Sequence, residues 1–219
     1  MKKISIILAI AGLAAVMVNC AGVPKSNYVI TGDIEGADGE IYFLKGIDTV
    51  NVAQATEGKF TLSGELPEPG AYMILAKRLP MMILVDEDDT LNITGSITKI
   101  KPGERVFTVT GSEANEEFMA LGNRLMESMA EVRRAKSAEE RDSVIQQQEL
   151  LILDAAQRNI DNILGTYLLS IPQPSSHTSN ETVLTILDKV PVRLKETSLY
   201  KSTRKRFEPK TEEPENQNM

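Results

Sequence analysis

Apolar and polar residues alternate with a period of two along the chain from residue 28 to residue 110. The runs at 28–34, 40–45, 49–53, 59–64, 71–76, 81–85, 90–94 and 105–110 set every second side chain on one face and are rich in Val, Ile, Thr, Tyr and Phe. That pattern predicts strands. Between them lie Ala37-Asp38-Gly39, Glu57-Gly58-Lys59, Pro67-Glu68-Pro69-Gly70, Asp86-Glu87-Asp88-Asp89 and Pro102-Gly103, all turn-forming chemistry. Short strands at this regular spacing predict an antiparallel β-sandwich or open barrel over residues 28–111.

At Ser112 the period changes. Phe118, Leu121, Leu125, Met129 and Val132 recur at steps of three and four, which places them on one face of a helix starting near Ser112. Ser137-Ala138-Glu139-Glu140 has the form of a capping box for a second helix, with Val144, Leu151 and Ala155 inward. The short break at Lys136-Ser137 predicts a helical hairpin or a bend. Residues 170–175 read as a loop, residues 183–187 and 192–207 as helices broken at Pro191, and residues 208–219 as a disordered tail. The fold class is therefore α+β, with the β domain at 28–111 and the helical region at 112–207. Two short helices cover only part of their apolar faces by pairing, so the rest is expected to pack on the sheet.

The first residues change the picture. Met1-Lys2-Lys3 and the apolar stretch from Ile4 to Val18 form a secretory signal pattern. A membrane-spanning helix needs about 20 apolar residues, and this stretch meets polar Asn19 first. Residues 1–19 are thus read as a signal peptide. The single cysteine, Cys20, follows at a position that resembles the lipobox of bacterial lipoproteins, with Met17 and Asn19 where Leu and a small residue are usual. Residues 20–27 are then a lipidated tether, with Cys20 as the lipid attachment site, favoured over ordinary cleavage near Ala21, and the membrane as one partner. Ala21-Gly22-Val23-Pro24-Lys25 lacks the acidic run that resembles a surface-export signal, so the expected location is the cell envelope, facing the periplasm.

With Cys20 acylated, the folded part has no cysteine, and its stability must come from burial in a chain of about 200 residues. Without Lys2 and Lys3 the balance is 22 basic against 31 acidic residues, a net charge of −9 with the histidine neutral. Such acidity argues against nucleic acid as a partner.

Candidate chemistry is sparse. His177 is the only histidine, so neither a catalytic triad nor a multi-histidine metal site can be assembled, and a solvated loop residue is expected. The run Asp86-Glu87-Asp88-Asp89 offers oxygen ligands but lacks the spacing of an EF-hand, and reads as a solvated turn. Met73, Met81, Met82, Met119, Met126 and Met129 are taken as core filler rather than soft-metal ligands. Arg204-Lys205-Arg206, with Lys201 nearby, either docks an anionic lipid or partner or stabilises a helix C-terminus, the second being favoured. Asp48-Thr49-Val50, Asp89-Thr90-Leu91 and Asp142-Ser143-Val144 resemble the O-glycosylation pattern of exported Bacteroidetes proteins, which makes Thr49, Thr90 and Ser143 candidate modification sites. No cofactor site is found.

Residues 28–34 (YVITGDI), residues 57–64 (EGKFTLSG) and Val109-Thr110-Gly111-Ser112 followed by Asn115 resemble a known pattern. It is the domain of unknown function that precedes thioredoxin-like (AhpC/TSA or TlpA-type) domains in Bacteroidetes envelope lipoproteins. Residues 186–195 and Tyr200-Lys201 are similar to the helical linker that leads into that redox domain. The resemblance implies an association with thioredoxin-family proteins. The family's longer members carry a Cys-x-x-Cys, which this sequence lacks. Thiol exchange requires a thiolate, so a chain whose one cysteine is acylated is expected to be no enzyme. The expected function is a non-enzymatic envelope lipoprotein, an interaction or accessory module for a thioredoxin-fold or other envelope protein. The alternatives are a truncated thiol-disulfide oxidoreductase missing its catalytic domain, and a periplasmic ligand-binding lipoprotein.

Overall fold

The structure is a computed structural model that describes residues 27–98, 106–171 and 177–209. The signal segment, Cys20 and the tail from residue 210 lie outside the described residues. The eight alternating runs form β1 (Tyr28–Glu35), β2 (Gly39–Lys45), β3 (Asp48–Ala55), β4 (Lys59–Gly64), β5 (Gly70–Ala76), β6 (Leu79–Val85), β7 (Asp89–Ser96) and β8 (Phe107–Thr110). They make two four-stranded sheets, ordered β4-β1-β7-β8 and β3-β2-β5-β6.

The inward faces of the two sheets share one core. Ile30, Ile34, Leu62, Leu91 and Ile93 from the first sheet meet Ile41, Phe43, Tyr72, Ile74 and Ile83 from the second, all essentially without solvent contact. The Phe43 ring lies between Tyr28 and Tyr72, with ring centroids 5.1 Å and 4.7 Å away. Gly32 also faces inward, and a Cβ there would lie 2.0 Å from the Phe60 ring. The missing side chain is what lets that ring cross β1.

One pairing departs from the antiparallel expectation. β1 runs antiparallel to β4 but parallel to β7, in register from Tyr28↔Asp89 to Glu35↔Ser96. Alternation has the same period in both kinds of ladder, so it fixes which face is buried and is silent on the direction of the neighbour.

Two asparagine side chains close the seams between the sheets. At one edge β3 and β4 run side by side, and Asn51 donates through Nδ2 to the Ser63 carbonyl and to the Tyr28 hydroxyl, both at 3.0 Å. At the other edge Asn115 accepts from the Leu84 backbone N–H at 2.9 Å and donates to the Leu84 carbonyl at 2.7 Å. It thus satisfies both groups that an edge residue of β6 would otherwise leave open. Gly111, at φ +95°, brings the chain from β8 to this point, and any Cβ there would lie 2.2 Å from the Thr90 carbonyl oxygen.

The helices are α1 (Glu113–Arg134), α2 (Ala138–Arg158), α3 (Ile163–Ser170), α4 (Asn180–Leu187), α5 (Val192–Lys195) and α6 (Ser198–Phe207). Ser137 caps α2 as expected, its Oγ accepting from the Glu140 N–H at 3.0 Å, while the Glu140 carboxylate reaches one residue further back, to the Lys136 N–H at 2.8 Å. Helix α3 is absent from the sequence-based expectation. It is buried on nearly all sides, so it carries no stripe to read. The helix expected over 192–207 is split, because Thr197 accepts from the Tyr200 N–H and starts α6 afresh.

A second core joins α1 to α6, with Leu121, Ile152, Ala156, Leu164, Leu168, Ile186, Leu187 and Leu194 buried in it. Leu84 of β6 points out of the sandwich into this helical core, and Ala71 of β5 packs against it, so the sheet supplies part of its lining. The apolar face of α1 is only half used. Phe118, Leu121 and Leu125 pack inward, whereas Met129, expected inward, is 53% exposed and Met126 is 52% exposed. Past Leu125 the hairpin has no further layer to cover it, which corrects the reading of these methionines as core. Met81 alone of the six is fully buried.

Candidate functional site

The two sheets present different outer faces. On the β4-β1-β7-β8 sheet the outward positions are mostly polar, among them Thr31, Asp33, Thr61, Ser63, Thr90, Asn92, Thr94, Thr108 and Thr110, with apolar Val29 beside them. On the β3-β2-β5-β6 sheet they are mostly apolar. The register sets Val52, Tyr42, Leu75 and Pro80 in one row across all four strands, and Thr49, Leu44, Met73 and Met82 in the next. Only the third row, Ala71 with Leu84, is roofed by α3. Val52 and Met82 are 43% and 41% exposed, and none of the other six is buried. At the margin the Tyr167 hydroxyl contacts the Met82 sulfur at 2.7 Å, and Tyr167 meets Phe118 edge-on at 5.4 Å. Burial pushes the Tyr167 hydroxyl above the ordinary phenol range.

Two polar clamps, invisible in the sequence, tie the sandwich to the C-terminal helices. Asp86 accepts both oxygens' worth of hydrogen bonds from Arg193 Nη1, at 2.7 Å and 2.8 Å, while Arg193 Nη2 donates to the Asp161 carbonyl at 3.0 Å. Glu68 accepts from Lys45, from the Ser198 hydroxyl and from the Ser198 N–H, the last at 2.8 Å, at the start of α6. The acidic turn at 86–89 is therefore structural rather than purely solvated: Asp89 accepts from the Asp86 N–H at 2.8 Å, and Asp88 takes φ +64°. A cleft of about 370 Å³ lies beside it, lined by Asp86, Asp89, Glu113, Asp161 and Arg193. Among the described residues no group of three or more His, Cys, Asp or Glu is placed to hold a metal ion.

Two carboxyls beside the clamps, Glu68 and Asp89, are shifted in opposite senses. Burial by itself would raise the Glu68 carboxyl, but the hydrogen bonds from Lys45 and Ser198 outweigh it and hold the carboxyl below its usual value. A depressed carboxyl stabilises the fold above its unfolded pKa and loses that contribution as pH falls through the folded value. Burial, the largest influence on Asp89, raises it, so Asp89 favours the fold only when protonated. Glu68→Gln should therefore lower the urea midpoint at neutral pH and leave it close to wild type near pH 3. A deficit equal at both pH values would show that the charge of Glu68 contributes nothing.

The remaining candidates are scattered. Thr49 on β3, Thr90 on β7 and Ser143 on α2 are all exposed, on three separate surfaces. His177 pairs with Asp142 at 3.2 Å on the protein surface. The basic cluster is engaged within the chain: Arg204 pairs with Asp188 at 2.6 Å and with Glu208 at 3.0 Å, and Arg206 donates to the Ser170 carbonyl at the end of α3 at 2.6 Å. It caps a neighbouring helix. Among the described residues no helix is long and apolar enough to cross a membrane.

Residues 28–118 match the model of a family described as a domain of unknown function (DUF4369). The matched span covers the eight strands and runs into α1 just past Asn115, the side chain that seals the β6 edge. The domain-of-unknown-function resemblance carried by the motifs at 28–34, 57–64 and 109–115 is borne out over this span. No curated protein and no solved structure matches the chain.

Proposed function

We propose that this chain is a non-enzymatic lipoprotein of the cell envelope, anchored through Cys20, whose sandwich and helices form an interaction or accessory module for a separate envelope protein. A thioredoxin-fold protein is the first partner to test, on the strength of the sequence resemblance. The observation that carries the reading is the asymmetry of the sheets: one outer face is threonine-rich and solvated, the other sets Val52, Tyr42, Leu75, Pro80 and Met82 toward solvent. Leaving such a surface wet costs about 25 cal/mol per Å² of apolar area relative to covering it, and a partner recovers that cost.

Two measurements test the proposal. Affinity purification of the full chain from detergent-solubilised membranes should recover a reproducible envelope partner; repeated recovery of none would sink the module reading. Cys20→Ala should abolish fatty-acid labelling and move the protein from the detergent to the aqueous phase on phase partition, because the acyl chain supplies the anchor. A mutant that still partitions with detergent would place the anchor elsewhere.

A further inference from the structure

Building on the reading that this chain docks an envelope partner, we infer that the open part of the β3-β2-β5-β6 face receives one amphipathic α-helix of a different protein, flanked by acidic side chains. The first ground is continuity. The third row of this same face, Ala71 with Leu84, is already covered by a helix, α3, and the two rows beyond it continue the apolar surface without interruption. A helix laid beside α3 extends the layer that α3 begins on this face.

Size is the second ground. Four strands at about 4.8 Å spacing are about 19 Å wide, a length that about 13 helical residues span at 1.5 Å each. Two rows occupy about 13 Å along the strands, which admits a single helix of about 10 Å diameter. The resulting area, roughly 250 Å² in plan, is well below the roughly 800 Å² per partner of a stable globular interface. A second copy fits worse still, since face-to-face sheets pack about 10 Å apart and α3, itself about that thick, stands on the same face.

Charge supplies the third ground. The two rows contain no charged residue, and the β5–β6 turn at their edge holds Lys77 and Arg78, both exposed and in no ion pair among the described residues. In the same row across the sheet Glu40 accepts from the Tyr42 hydroxyl, and the two cations outnumber it, so on a chain with a net charge of −7 this rim is locally basic. Acidic side chains at the end of the incoming helix would meet them and fix its direction.

Photo-crosslinking in the native envelope tests this. A benzoylphenylalanine placed at Val52 or at Met82 of the full chain, both already exposed, should give one adduct whose linked peptide belongs to another protein and reads as an acid-flanked amphipathic helix. The same group at Thr61 or Thr94, on the opposite sheet, should not. Lys77→Glu with Arg78→Glu should cut the adduct yield about tenfold. Unchanged melting temperatures verify that each variant folds. An adduct to a second copy of the chain, to lipid, to a non-helical segment, or equally from both sheets would overturn the inference, as would no adduct at Val52 and Met82. If purification still recovers a partner while these positions stay silent, this docking face is wrong and the interaction-module reading stands; if both fail, both fall.

Discussion

Replacing Leu121 and Leu125 with aspartate should melt the strands together with the helices, in one calorimetric transition shifted as a unit. Leu121 is 1% exposed in the helical core, and Leu125 packs against that core one turn further along α1. Burying a carboxylate without a partner costs several kcal/mol, of the order of the whole stability of a domain. The effect should reach the sandwich because Leu84 of β6 sits in the same helical core, and because Asp86 and Glu68 hold α5 and α6 from the strand side. Leu84→Ala gives the complementary measurement. It removes a side chain of the β domain yet empties a hole in the helical core, at an expected cost of about 2–5 kcal/mol. Two transitions, with only one moved by the aspartates, would mean that the strand and helix regions unfold independently.

Asn115→Ala should be the most damaging single loss of a polar side chain. The amide holds both backbone groups of Leu84, and Asn115 is 1% exposed, so water does not replace it readily. Leaving one buried donor and one buried acceptor open costs about 1–3 kcal/mol each, or about 2–6 kcal/mol for the pair, read as a drop in the urea midpoint at unchanged slope. Asn115→Asp separates hydrogen bonding from shape. The aspartate still accepts from the Leu84 N–H but faces the Leu84 carbonyl with a second acceptor, and only its protonated form can donate there. Its deficit should therefore shrink as pH falls through the carboxylate range, whereas that of Asn115→Ala should not. Equal deficits across pH would show that the donor half of the bridge contributes nothing. Asn51 closes the opposite seam in a part-buried setting, and its removal should cost less.

Features encoded by local periodicity can be read directly along the chain. Alternation marked eight strands, the change of period at Ser112 marked α1, Ser137 and Glu140 marked the start of α2, and Pro191 marked the break before α5. Its order of motifs also pointed to the domain of unknown function that residues 28–118 match. These features are legible because each depends on residues a few positions apart.

Tertiary structure decided everything that depends on which distant segments meet. The parallel pairing of β1 with β7 joins strands separated by five others, and a period of two is the same whichever way a neighbour runs. Helix α3 is buried on nearly all sides and so shows no amphipathic stripe, and Met129 is exposed because a stripe predicts a buried face only where something exists to bury it. Asn115, Glu68, Asp86 and Arg193 read in the sequence as ordinary polar residues; each matters through one partner more than 30 positions away, which no local pattern records. The open apolar face has the same origin. Tyr42, Leu75 and Val52 alternate as in any half-buried strand, and only the assembled sheets show that the second side of this one also lacks polar cover.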